Sequence, residues 1–232
     1  MGGSCAKGLE DQFSDRDFCI TYEKKNDYFL VSDELKKIFG SPSLVIDKKN
    51  SIAIHFEISG LKFEVRLLNI QTVKEAKEAL LKNESLSFMD QELLENIRIG
   101  IFYKTSKEMK KIKADGIQYP CRLSHSIIMR YLPLLSISDF EVPVARGDSY
   151  FIMKHALDLK EVIMALANAQ SRIFLSGFKH EEKLLDRLSP IVKIIWNELK
   201  ELSYNHTDEN LKSLSHNIEI FKADLLKSIG EA

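Results

Sequence analysis

The stretch Ser51 to Leu68, SIAIHFEISGLKFEVRLL, constrains the fold of this chain more than any other. Ile52, Ile54, Phe56 and Ile58 alternate with smaller or polar residues before Ser59-Gly60, and Leu61, Phe63, Val65 and Leu67 alternate with Lys62, Glu64 and Arg66 after it. A period of two is the mark of a strand with one buried face. With Ser59-Gly60 as a two-residue loop, Ile58 faces Leu61, Phe56 faces Phe63, Ile54 faces Val65 and Ile52 faces Leu67, and Glu57 pairs with Lys62. A three-residue loop would set Glu57 against Leu61 and mix the faces, so the pattern selects the register.

Around this hairpin the sequence predicts an antiparallel meander. Ser43 to Ile46 reads as a strand, joined to the hairpin by a turn at Asp47 to Asn50. Phe18, Ile20 and Tyr22 alternate, and a turn at Lys24 to Asp27 leads to Tyr28 to Val31 as a second hairpin. Ser32 is placed to cap a helix of one or two turns carrying Leu35, Ile38 and Phe39, which Gly40 ends. The cover for the sheet is expected from the next helix, capped by Thr72 and Glu75, with Val73, Ala76 and Leu80 on one stripe. A helix at Ser87 to Asn96, a strand at Ile97 to Lys104 and a lysine-rich helix follow.

A helix from Pro120 to Leu132 stops at Pro133, and the segment with Pro133, Pro143 and Gly147 reads as a connection. Beyond it, Asp158 and Glu161 are placed to cap a helix running to Gly177. The next helix contains Ser189-Pro190, where proline either kinks it or opens a new one. Thr207 to Ile229 carries Leu211, Leu214, Ile218, Phe221 and Leu225 at alternating spacings of three and four, as antiparallel packing in a small bundle requires. The expected fold is therefore α+β, an antiparallel β-meander with covering helices followed by a C-terminal helical bundle. Its divisions are a flexible leader at 1–15, an α+β domain at 16–132, a connection at 133–157 and the bundle at 158–232.

Charge and cysteine usage narrow the function classes. Lys+Arg number 33 against 34 Asp+Glu, a formal net charge of −1, so no overall field draws the chain to nucleic acid, and none is expected as a partner. Three cysteines, Cys5, Cys19 and Cys121, form neither an even framework nor a C-x-x-C pair, which places the chain in the reducing cytoplasm. No apolar run approaches the roughly 20 residues of a membrane span. Gly2 and Cys5 offer two acylation positions, but Ala6 stands where the myristoylation pattern asks for Ser or Thr. Membrane contact is expected only through acylation or a partner.

No constellation of catalytic residues stands out. Cys121 and His125 share a helix face, yet zinc needs a further protein ligand and no other Cys or His has a telling spacing. Cys121 then reads as a small buried hydrophobe. His55 and Glu64 oppose each other across the hairpin, a pairing that solvated sheet faces also show without catalysis. Gly100, Gly116, Gly147 and Gly177 stand alone, outside any phosphate-binding motif, so no cofactor is expected, and no metal. The lysine run Lys104, Lys107, Lys110, Lys111 and Lys113 is either a solvated helix face or a surface for an acidic protein. Trp196, Leu214 and Phe221 are either core or anchors for a partner helix. Partner binding is assigned to Lys104, Lys107, Lys110, Lys111, Trp196, Leu214 and Phe221.

The segments SDELKKIFG, LVIDKKNSIAIHFE and ISGLKFEVRLLNI, from Ser32, give a short helix ending in glycine, an LxID-like strand and a tight hairpin. This order resembles the opening of the small α/β type III secretion chaperones. The resemblance spans about a sixth of the chain, and the helical tail departs from that family's compact size. It implies a dimer that holds an unfolded effector segment. The expected function is a non-enzymatic adaptor or chaperone-like subunit of a bacterial assembly, with other protein subunits as partners. The alternative is an enzyme whose site is assembled from scattered residues, or a translocated effector acting at a membrane.

Overall fold

The computed structural model describes residues 16–48, 51–82, 86–102, 106–175 and 181–230. The expected leader at 1–15, with Gly2 and Cys5, lies outside them, as does Lys104. The described chain divides into two compact units, Met1–Gln118 and Tyr119–Ala232.

In the first unit the hairpin forms as its pattern requires. Strands β3 (Ser51–Ile58) and β4 (Leu61–Asn69) pair antiparallel with Ile58 opposite Leu61, Phe56 opposite Phe63 and Glu57 opposite Lys62. The loop needs two consecutive left-handed residues, and Ser59 (φ 52°) and Gly60 (φ 77°) supply them. Strand β2 (Leu44–Lys48) joins β3 antiparallel, which completes the meander.

Strand β1 (Arg16–Tyr22) is where the structure departs from the expected topology. It pairs parallel with β4, so the sheet order is β1-β4-β3-β2. A parallel neighbour needs a long crossover. The expected second hairpin at Phe18 to Val31 is accordingly absent, and α1 (Lys25–Phe39) takes its place. The Asp27 carboxylate accepts the Lys24 backbone N–H at 3.0 Å and fixes the helix start. Tyr28 to Val31 forms an apolar run with no period of its own. What decides its conformation is the stripe Val31, Leu35, Phe39 at helical spacing, which only the packed sheet rewards.

Helix α1, rather than the helix carrying Val73, Ala76 and Leu80, covers the apolar face of the hairpin. Leu35 is buried with Ile52, Ile54, Phe56, Val65 and Leu67, and the rings of Phe39 and Phe56 lie 5.2 Å apart. Val73, Ala76 and Leu80 are buried on α2 (Ile70–Leu81), which Asn69 caps by accepting the Gln71 N–H at 2.9 Å, in place of the expected Thr72. Helix α3 (Phe88–Ile99) runs through Ile97 to Ile99, where a strand was expected, and α4 (Lys107–Ala114) carries the lysines. Salt bridges Lys74–Glu108 and Lys77–Asp115, both 2.9 Å, join α2 to α4 and to Asp115 just past the end of α4.

The second unit is helical. Helix α5 (Cys121–Tyr131) ends before Pro133, as expected. The expected connection at 133–157 is instead largely helical, as α6 (Ser138–Arg146) and the start of α7 (Ser149–Gln170). Asp148, not Asp158, caps α7. Helix α8 (Glu181–Leu185) is short, and Pro190 opens α9 (Pro190–Tyr204) instead of kinking a longer helix. Helix α10 (Asp208–Gly230) closes the bundle, with the Thr207 hydroxyl accepting the Asn210 N–H at 3.2 Å. One core runs through it, including Ile152, Ile163, Ile195, Leu199, Leu214, Ile218 and Phe221. At about 2 kcal/mol or more for each fully buried side chain of this size, that stripe is what holds these helices together.

Candidate active site on the polar face of the sheet

The side chains that alternate away from the apolar core share the other face of the sheet. Register sets Leu44, His55, Glu64 and Asp17 in one row across β2, β3, β4 and β1, and Ile46, Ala53, Arg66 and Cys19 in the next. Glu64 Oε1 accepts from Arg66 Nε at 3.2 Å and Nη2 at 2.9 Å. Its second oxygen, Oε2, stands 3.8 Å from His55 Nε2. That is ion-pair range but too long for a hydrogen bond, and the buried Nε2 has no hydrogen-bond partner. Burial alone would lower the Arg66 pKa, but the charge and hydrogen bonds of Glu64, with Glu92 of α3 and Cys19 adding, hold it above the ordinary value. Arg66 therefore stays cationic and fixes the carboxylate beside the imidazole.

The other sequence candidates fare differently. Cys121 and His125 are both exposed on α5, so Cys121 is not the buried hydrophobe expected of it. Among the described residues no group of three His, Cys, Asp or Glu is placed to hold a metal ion. Lys107, Lys110 and Lys111 are exposed, whereas Lys113 donates to the Gly100 carbonyl at 2.8 Å and lies 4.1 Å from the Phe102 ring centre. Trp196 is 4% exposed, donates its indole N–H to Glu181 and has the Lys160 ammonium 4.7 Å from its ring centre. Leu214 and Phe221 are fully buried. These three side chains are spent on the bundle's own core and cannot anchor a partner. What sequence reading missed is Arg66 as the clamp on Glu64, whose two-residue spacing on β4 was the available signal, and a contact between Ser149 and His206, for which no spacing could serve.

No protein-family model matches the chain, and no curated protein matches it. A solved structure that it does match is the nucleotidyltransferase-like protein from Exiguobacterium sibiricum 255-15, at a TM-score of 0.41 and 15% identity over 78% of this chain. The chain spans 60% of that protein's chain. That protein is not a secretion chaperone, and the resemblance drawn from Ser32 to Asn69, together with the adaptor function built on it, is corrected by the fold of the segment. The structure gives the physical reason. The short helix of that resemblance is part of a 15-residue helix, and the meander gains a parallel strand at its edge.

Proposed function

We propose that the protein is an enzyme, with an acid–base site on the polar face of the sheet in which His55 exchanges the proton, Glu64 orients the imidazole and Arg66 holds Glu64. The supporting observation is the Glu64 carboxylate, clamped by Arg66 through one oxygen and facing the unbonded His55 Nε2 through the other. Drawn together, such a pair fixes the ring and leaves its second nitrogen to take a proton from a substrate O–H or N–H. The side chains of His55 and Glu64 retain 25% and 18% exposure, so a substrate can reach them. A reducing, cytoplasmic location belongs to the same proposal, supported by the free thiols of Cys19 and Cys121.

The test is a turnover panel covering nucleotidyl transfer, phosphodiester cleavage and ester hydrolysis. Nucleotidyl transfer is included after the description of the Exiguobacterium protein, whose similarity is too low to favour it over the others. A reaction found with the wild-type chain should slow by roughly 10²- to 10⁴-fold in His55→Ala and in Glu64→Gln. Wild-type rates in a folded His55→Ala variant refute the assignment, as does a panel without turnover.

A further inference from the structure

The helical unit holds a second arrangement, independent of the sheet pair. Ser149, the first residue of α7, and His206, just past the end of α9, are 57 positions apart in sequence, yet Ser149 Oγ lies 3.2 Å from His206 Nε2. The other ring nitrogen, Nδ1, lies 3.2 Å from the Leu202 carbonyl oxygen. A carbonyl only accepts, so this contact places the proton on Nδ1 and leaves Nε2 with its lone pair toward the serine. The Ser149 O–H is then the donor. A hydroxyl, a base within reach of it and a third group that fixes the base are the parts of an activated nucleophile. Ser149 is exposed and His206 is half-buried, so the hydroxyl is open to a small ester from solution.

We propose that Ser149 and His206 form a nucleophile–base pair that takes the acyl group of a small carboxylic ester. Ser149 Oγ bonds to the carbonyl carbon as its proton passes to His206 Nε2. The ester C–O bond then breaks, the departing alkoxide leaves as alcohol with that proton, and Ser149 carries the acyl group. Water, giving its proton to Nε2, adds to the acyl carbon. Collapse returns the proton to Oγ and releases the carboxylic acid.

A fluorophosphonate probe tests the pair on the full chain. The Ser149 Oγ–P bond forms, fluoride leaves, and Nε2 receives the proton. Peptide mass spectrometry should place the adduct on Ser149 in the native protein, at a rate about tenfold or more above the same serine in urea-unfolded chain. Ser149→Ala should abolish it, and His206→Gln, with thermal unfolding unchanged, should slow it by a similar factor. Equal rates in native and unfolded chain overturn the proposal, and so does an unchanged rate in folded His206→Gln. Neither result bears on His55, whose variants are read in a Ser149→Ala background so that ester turnover by this pair counts neither for nor against the sheet site.

Discussion

Glu95 and Arg98 on α3 offer an asymmetric ion pair whose two halves should respond unequally to removal. Glu95 is 3% exposed, while the Arg98 side chain is 45% exposed. Arg98 Nε donates to Glu95 Oε2 at 2.8 Å and Nη2 to Oε1 at 2.6 Å. Replacing Arg98 with Ala leaves a carboxylate in the interior without its cation, a change that costs about 3–5 kcal/mol in well-buried pairs. Because water reaches the open side of this pair, about 3 kcal/mol is expected. Replacing Glu95 with Leu instead leaves the arginine half in solvent and puts an apolar group of similar size inside, for about 1 kcal/mol or less. The double variant should resemble Glu95→Leu alone, giving a coupling of about 3 kcal/mol, the whole of the Arg98→Ala loss. Urea unfolding followed by circular dichroism reads all three. With a slope of about 2 kcal/mol per M, Arg98→Ala should lower the midpoint by roughly 1.5 M. A loss below about 1 kcal/mol for Arg98→Ala, or equal losses for the two single variants, refutes the reasoning.

Two further perturbations probe the hairpin and the α2–α4 contact. At Gly60 (φ 77°) an added Cβ meets nothing within 4 Å, so Gly60→Ala should cost only the left-handed backbone term, about 1 kcal/mol, and Gly60→Asn less; equal losses for the two in urea unfolding would point to a steric cause instead. The Lys77 ammonium, hydrogen-bonded to Asp115, holds that carboxyl below the ordinary aspartate value. A lowered folded pKa contributes stability that is present above the unfolded aspartate value and lost as pH falls through the folded one. Asp115→Asn should therefore lower stability slightly near neutrality and leave it unchanged at a pH below the folded aspartate value; a melting temperature equal to wild type at neutral pH, or an equal loss at both pH values, counts against it.

How much was legible follows from how local each signal is. The β3–β4 register, the left-handed turn and Gly40 as the end of α1 are set by residues within a few positions of one another, and alternation fixed them without tertiary help. His55 opposite Glu64 was readable for the same reason, since register alone makes them neighbours. The stripe Leu211 to Leu225 likewise foretold a buried helix face. What the stripe could not tell was whether that face met the chain itself or a partner, because apolar spacing is the same in both cases. Packing among α7, α9 and α10 decided it for Trp196, Leu214 and Phe221.

Sequence by itself determined the antiparallel hairpin, the α+β class and the helical C-terminal unit, because periods of 2 and 3.6 are short-range properties of the chain. Only tertiary structure decided that β1 runs parallel to β4, that Tyr28 to Val31 is helical, and that Ser149 meets His206 across 57 residues. Each of these depends on burial or contact between segments distant in sequence, and the free energy of such contacts is absent from any local window.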